Sequence, residues 1–185
     1  MECVWEIMNH KIYQDIFNQI YNDEIRNFTI HVLRECPEEL ETIPASISGK
    51  YHPLEARQVG GLVWHVQRAC WFANMFFHAY GWKYDNIKAD IVLSALLLHD
   101  ISKKSKYSGN YDYVNHPTNA ALFIDKFKGE ISQNIFQIIR NCIIHHMGNW
   151  TPISIRKPIE KYTLLELIVY QCDYLSSKKE LAGDM

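Results

Sequence analysis

β-Strand alternation is nearly absent from this 185-residue chain, which argues against a sheet-based fold. An excess of one charge is missing too: 19 Lys and Arg stand against 21 Asp and Glu. No global basic field therefore marks a nucleic-acid binder, although a local basic groove is compatible with that balance. No apolar run approaches the ~20 residues that cross a bilayer. The N-terminal segment has no basic stretch followed by an apolar one, so neither a signal peptide nor a membrane association is expected. There are five cysteines, Cys3, Cys36, Cys70, Cys142 and Cys172, and no C-x-x-C pair. Zinc ribbons and thioredoxin-type redox pairs are thereby disfavoured. Cys70, Cys142 and Cys172 lie in apolar helical patterns and read as reduced core thiols, which suits the cytoplasm.

What the chain does have is helical periodicity cut by Asn, Ser, Gly and Pro. Ile12, Ile16 and Ile20, then Ile25, Phe28, Ile30 and Leu33, predict two short helices before Pro37. Residues 38–58 read as irregular, with Pro44, Gly49 and Pro53 as breakers. Gly60-Gly61 opens a helix to about residue 80, carrying Leu62, His65, Ala69, Phe72, Ala73 and Phe76 on one face. Asp85 is the expected N-cap of a helix ending near His99. Residues 103–115 form a polar loop, and Pro117 fits the first position of the next helix. Further helices are expected over 131–145 and 163–178. The reading is all-α: a short helical extension over 1–43 and one compact unit over 44–185.

The chemistry-bearing residues stand inside these apolar patterns. His99-Asp100 follows Ala95-Leu-Leu-Leu, His65 sits mid-helix, and Asp173 lies within Ile168-Val-Tyr-Gln-Cys-Asp-Tyr-Leu. A lone buried His is more often a hydrogen-bonded core residue. Four such groups in helices that must pack together are costly to bury uncompensated, and a divalent cation compensates them. His116 stands at the mouth of the Pro117 helix, and His145-His146 end the helix before it frays at Met147-Gly148.

The order His65, His99-Asp100, Asp173 resembles the H…HD…D signature of HD-domain phosphohydrolases. That resemblance implies an HD-domain helical bundle in which these four residues hold one metal. His116, His145 and His146 resemble the extra histidines of two-metal members, with Asp100 bridging both ions. His99-Asp-Ile-Ser-Lys103 resembles H-D-I-G-K, which implies that Lys103 contacts the scissile phosphate. Pro44-Ala-Ser, Tyr51-His52-Pro53 and Gly60-Gly-Leu-Val-Trp-His65 are similar to the entry motifs of YhaM-type 3′–5′ exoribonucleases. His145-His-Met-Gly148 and Cys172-Asp-Tyr-Leu175 resemble later elements of the same family. Pro53 replaces that family's second histidine, and residues 1–43 are too short and too helical for its OB-fold module. Both departures weigh against processive RNA degradation and leave the metal chemistry intact.

Mixed imidazole and carboxylate ligands suit Mn, Fe, Co, Ni or Zn, with Mg also open, and two ions are expected. Asp100 and Lys103 are the expected catalytic residues, and Lys103 and His52 the substrate contacts. The substrate expected is a nucleotide or short nucleic acid. Alternatives are hydrolysis of nucleoside mono- or triphosphates and a non-catalytic nucleotide-sensing module. A homodimer is compatible with the sequence. Lys103, Lys104, Lys106, Tyr107, Tyr111 and Tyr113 could grip phosphates and stack a base, or form a solvated loop. Arg156-Lys157 and Lys178-Lys179 are expected to face water. Trp64, Trp71, Phe72, Phe76 and Phe77 are expected in the core or an interface.

Overall fold

The computed structural model describes residues 13–46, 50–83, 86–103 and 110–181. Cys3, Ile12, Gly49, Asp85 and the basic-aromatic segment 104–109 lie outside the described residues. Within them the chain is helical, without β-strands. The α-helices are α1 (Gln14–Phe17), α2 (Asp23–Arg34), α3 (Gly61–Ala79), α4 (Ile87–Leu98), α5 (His116–Ile124), α6 (Gln133–His145) and α7 (Leu164–Ser176). No described helix is long and apolar enough to cross a membrane.

α4 is the axis of the molecule. Every residue from Ala89 to Leu98 is buried, because α2, α3, α6 and α7 all pack around it. A helix that is apolar on all sides is stable only when enclosed in this way. Full burial of each of its leucines contributes about 1.5–3 kcal/mol. Asn86 caps the helix, its side chain accepting the Lys88 N–H, so the helix begins just after the expected Asp85 cap. Its other end feeds straight into His99 and Asp100, so a helix enclosed by its neighbours sets the position of the H-D pair.

α2 belongs to the same core, through Ile25, Phe28, Val32 and Leu33. Two polar contacts pin this region to α4. The buried Asp90 carboxylate accepts the backbone N–H groups of Tyr21 at 3.1 Å and Asn22 at 2.8 Å. Thr29 Oγ1 and Ser94 Oγ lie 2.6 Å apart in the buried helix–helix contact.

The Gly60-Gly61 start of α3 has a steric cause. Gly60 takes a φ of 77°, a conformation that glycine adopts without a Cβ penalty. A Cβ on Gly61 would lie 2.4 Å from the Ala56 carbonyl oxygen, so the irregular segment before α3 presses directly onto the helix start. That segment contains two 3-10 turns, Glu38–Glu41 and Glu55–Arg57.

At its other end, α7 begins with a capping box. Thr163 Oγ1 accepts the Glu166 N–H, and the Glu166 carboxylate accepts the Thr163 N–H, satisfying two otherwise orphaned donors. The last turn of α7 is held by Arg68 of α3. This buried guanidinium donates to the carbonyl oxygens of Ser176 at 3.1 Å and Lys178 at 3.3 Å, and also to that of Leu181. Cys36, Cys70, Cys142 and Cys172 are free and buried, as the apolar patterns around the last three predicted.

Candidate metal centre

Five helices deliver the polar residues to one buried point. α3 contributes His65, the C-terminal end of α4 contributes His99-Asp100, α5 opens with His116, and His146 follows α6. Asp173, in the third turn of α7, completes the cluster. The ligand atoms of His65, His99 and Asp100 lie within 4.8 Å of one another, as do those of Asp100, His116 and His146. Asp100 is common to both groups and divides its oxygens between them. Its Oδ2 is 3.6 Å from His65 Nε2 and 3.3 Å from His99 Nε2. Its Oδ1 is 3.0 Å from His116 Nε2 and 3.7 Å from His146 Nε2. Asp173 Oδ1 joins the first group, 2.9 Å from His65 and 3.6 Å from His99.

The outer ring nitrogens determine what the inner ones present. His99 Nδ1 lies 2.6 Å from the Leu96 carbonyl oxygen, His116 Nδ1 3.1 Å from that of Tyr113, and His146 Nδ1 2.6 Å from that of Ile143. A carbonyl only accepts, so each Nδ1 carries the proton and donates it. His65 follows the same rule through a hydroxyl. Ser176 Oγ donates to the Asp173 carbonyl oxygen at 2.8 Å and therefore accepts from His65 Nδ1 at 2.9 Å. In their neutral forms all four imidazoles turn an unprotonated Nε2 towards the two carboxylates. Acceptors facing acceptors repel unless a cation lies between them. Metal-binding histidines are oriented by this same outer hydrogen bond. His99 Nε2 and Asp100 Oδ1 are buried without a hydrogen-bond partner, and they fall one in each ligand group. The donor set therefore fits divalent cations.

The electrostatics point the same way. Burial disfavours charge on His99, but the adjacent Asp100 and Asp173 carboxylates outweigh it and push its pKa up to about 10. Asp100 and Asp173 are also buried, yet their imidazole neighbours, joined at Asp100 by Lys103, hold both carboxyls well below the usual carboxylate range. Burial lowers His65, and burial together with His99 lowers His146 to about 3. The pocket keeps two anions and favours positive charge between them.

The other residues singled out in the sequence fall around this cluster. Lys103 is buried, with Nζ 2.5 Å from Asp100 Oδ2. The His52 ring lies 5.6 Å from that of His65, tilted by 53°; burial, then His65 and Lys103, lower its pKa to about 4. His145 stands in neither close group. Its Nδ1 lies 2.7 Å from Glu166 Oε1, and its carbonyl oxygen accepts the Tyr162 hydroxyl. Tyr111 and Tyr113 stack on each other, 5.6 Å between ring centres.

Two residues not picked out in the sequence prove to organise the site. Ser176 orients His65. Glu166 holds His145, and it also accepts Lys157 Nζ at 2.7 Å. Its capping-box spacing after Thr163 was the available signal. Lys157 is thus an ion-pair partner rather than a solvated charge, and Arg156 donates to the Thr151 carbonyl oxygen. Lys178 lies over the Tyr174 ring, while Lys179 is exposed. Trp71 and Trp64 also differ from each other: Trp64 packs against the core, whereas Trp71 is exposed.

An all-helical bundle with a buried His and Asp cluster shared by its central helices defines a metal-binding domain. The family model for the HD domain matches residues 65–178, more than half of the chain, and the chain belongs to that family of metal-dependent phosphohydrolases. No curated protein and no solved structure matches the chain.

Proposed function

We propose that this protein hydrolyses a phosphoester in a nucleotide or short nucleic acid, using two divalent cations to which Asp100 would be a common ligand. The observation that carries the reading is the convergence of four imidazole Nε2 atoms on two buried carboxylates. His65, His99, Asp100 and Asp173 would hold one ion, and Asp100, His116 and His146 the other. The imidazole and carboxylate donors favour a first-row transition metal over calcium. Bound divalent ions lower the pKa of water towards neutrality and offset charge on phosphoryl oxygens.

The chain's own groups position the ester and stabilise its charge. Lys103, enclosed beside Asp100, neutralises negative charge on the phosphate, the electrostatic contribution that usually dominates such reactions. His52 overhangs the cluster and, with its lowered pKa, is neutral near pH 7, contacting the substrate as a hydrogen-bonding group. The presence of two ligand groups rather than one supports a phosphodiester over a free triphosphate. The buried, free cysteines favour a reducing, cytoplasmic setting.

Stripping the protein of metal and reloading it with single metals tests this reading. Elemental analysis should find two ions per chain, and bis(p-nitrophenyl) phosphate should be cleaved only after reloading. Cyclic nucleotides, dNTPs and short single-stranded RNA then distinguish the substrate classes. Lys103→Ala should reduce turnover with both ions retained; loss of metal in that variant would make Lys103 a structural residue. Metal-free protein that cleaves as fast as reloaded protein would refute the mechanism.

A further inference from the structure

Among the groups forming the centre, Asp173 has the most exposed side chain, 21% against 8% or less for its charged neighbours. The opening therefore lies at Asp173, between the His52 loop and the outer turns of α7. Exposed aromatic rings border that opening. Tyr51 adjoins His52 and is 57% exposed. Tyr174 adjoins Asp173 and is 36% exposed, and Trp150, just beyond the His145-His146 end of α6, is 62% exposed. Trp150 and Tyr174 are nearly parallel, with 22° between their planes and 6.4 Å between ring centres.

Lys178 ties the two walls together. Its ammonium is 3.9 Å from the centre of the Tyr174 ring and 5.8 Å from that of Tyr51. Gly148 supports the arrangement from below. Its φ is 56°, and a Cβ there would meet the Tyr170 ring at 2.3 Å. Tyr170 in turn packs against Tyr174. The strip thus runs from the loop after α6, across α7, to the loop bearing His52, beside the open side of the metal centre.

We propose that Trp150, Tyr174 and Tyr51, with Lys178, form a nucleobase shelf, so that the centre takes a base-bearing phosphodiester from a single-stranded chain. This deepens the phosphoester-hydrolase reading above and rests on it. A purely apolar patch would suit many partners, but flat exposed rings beside a cation match the alternation of base and phosphate. Stacking on aromatic rings is sequence-tolerant because every base has a π-face. Trp150 supplies the outermost ring and Lys178 the charge for a flanking phosphate. The two residues make separable contributions, one depending on bases and the other on salt.

Fluorescence anisotropy on the metal-loaded wild-type protein, with phosphorothioate linkages in the probes to suppress turnover, tests the shelf. The probes are labelled four-nucleotide oligothymidylate and an abasic oligomer of equal length. The shelf predicts tighter binding of oligothymidylate by roughly tenfold, a typical value for stacking one base. Trp150→Leu should remove most of that preference and leave the abasic affinity unchanged, while Trp150→Phe retains much of it. Lys178→Gln should weaken both probes equally and flatten their salt dependence. Equal binding of the two probes by the parent protein overturns the proposal, as does equal weakening of both by Trp150→Leu. The same titration on metal-stripped protein separates the two ideas. A base preference that survives there, in a protein whose reloaded form cleaves no ester, leaves the shelf standing and removes the hydrolase.

Discussion

Asp90 and Asp100 stand near opposite ends of one helical run, and both are almost completely buried, at 1% and 2% exposure. Asp90 meets donors: the backbone N–H groups of Tyr21 and Asn22 lie on its two oxygens. Asp100 meets four Nε2 atoms on its two oxygens, and its Oδ1 has no hydrogen-bond partner. Burial alone therefore does not mark a functional carboxylate. The protons of the surrounding groups do: Asp90 has a donor on each oxygen, whereas Asp100 takes one donor, Lys103, on Oδ2 and keeps Oδ1 open to a cation.

The sharpest way to break this comparison is to neutralise each acid. Asp100→Asn should cut phosphodiester hydrolysis by on the order of 1,000-fold, comparable to loss of a transition-state stabilising group, and reduce bound metal in elemental analysis. Near-normal turnover in that variant would place the chemistry elsewhere. The second effect concerns stability. Divalent metal at about a hundredfold excess over its dissociation constant should stabilise the wild type by roughly 2.7 kcal/mol, measured as a rise in thermal midpoint on reloading. Asp100→Asn should lose most of that rise.

Asp90→Asn should behave in the opposite sense. It weakens two charge-assisted hydrogen bonds and should cost about 1.5–3 kcal/mol in urea unfolding. Its turnover per folded molecule and its metal-induced rise should match the wild type; a change in metal content would couple the two acids. Smallest is Ser94→Ala, which removes one hydroxyl from the contact with Thr29. It should cost about 1 kcal/mol and leave hydrolysis unaltered.

The same contrast explains what could be read from the residues in order. The apolar run before His99-Asp100 announced a buried H-D pair because enclosure on all sides requires that composition. Gly60-Gly61 announced the start of α3, and Pro117 lies in the first turn of α5. These signals are local. The partners of Asp90 lie 68 and 69 residues away, and nothing in the spacing pairs them. Ser176 lies 111 residues from the His65 ring it orients. Three of the four imidazoles take their orientation from backbone carbonyls three residues earlier, which are invisible in side-chain patterns. Lys157 and Lys178 looked like solvated charges because their partners, Glu166 and the Tyr174 ring, are fixed by the packing and geometry of α7. The exposed strip at Trp150 was unreadable for the same reason: a sequence names aromatic residues without saying which remain uncovered.

Arg68 makes the stretch just past α7 a buttress of the metal centre. The carbonyls of Lys178 and Leu181 quench a guanidinium that α3 carries inside the protein. Trimming the polypeptide after Ser176 would remove two of the three carbonyls that receive this guanidinium and slacken the turn from which Asp173 and Ser176 reach the His65 ring. Those few residues are therefore poor ground for a cleavage site or a tight fusion junction, although they touch no ligand themselves.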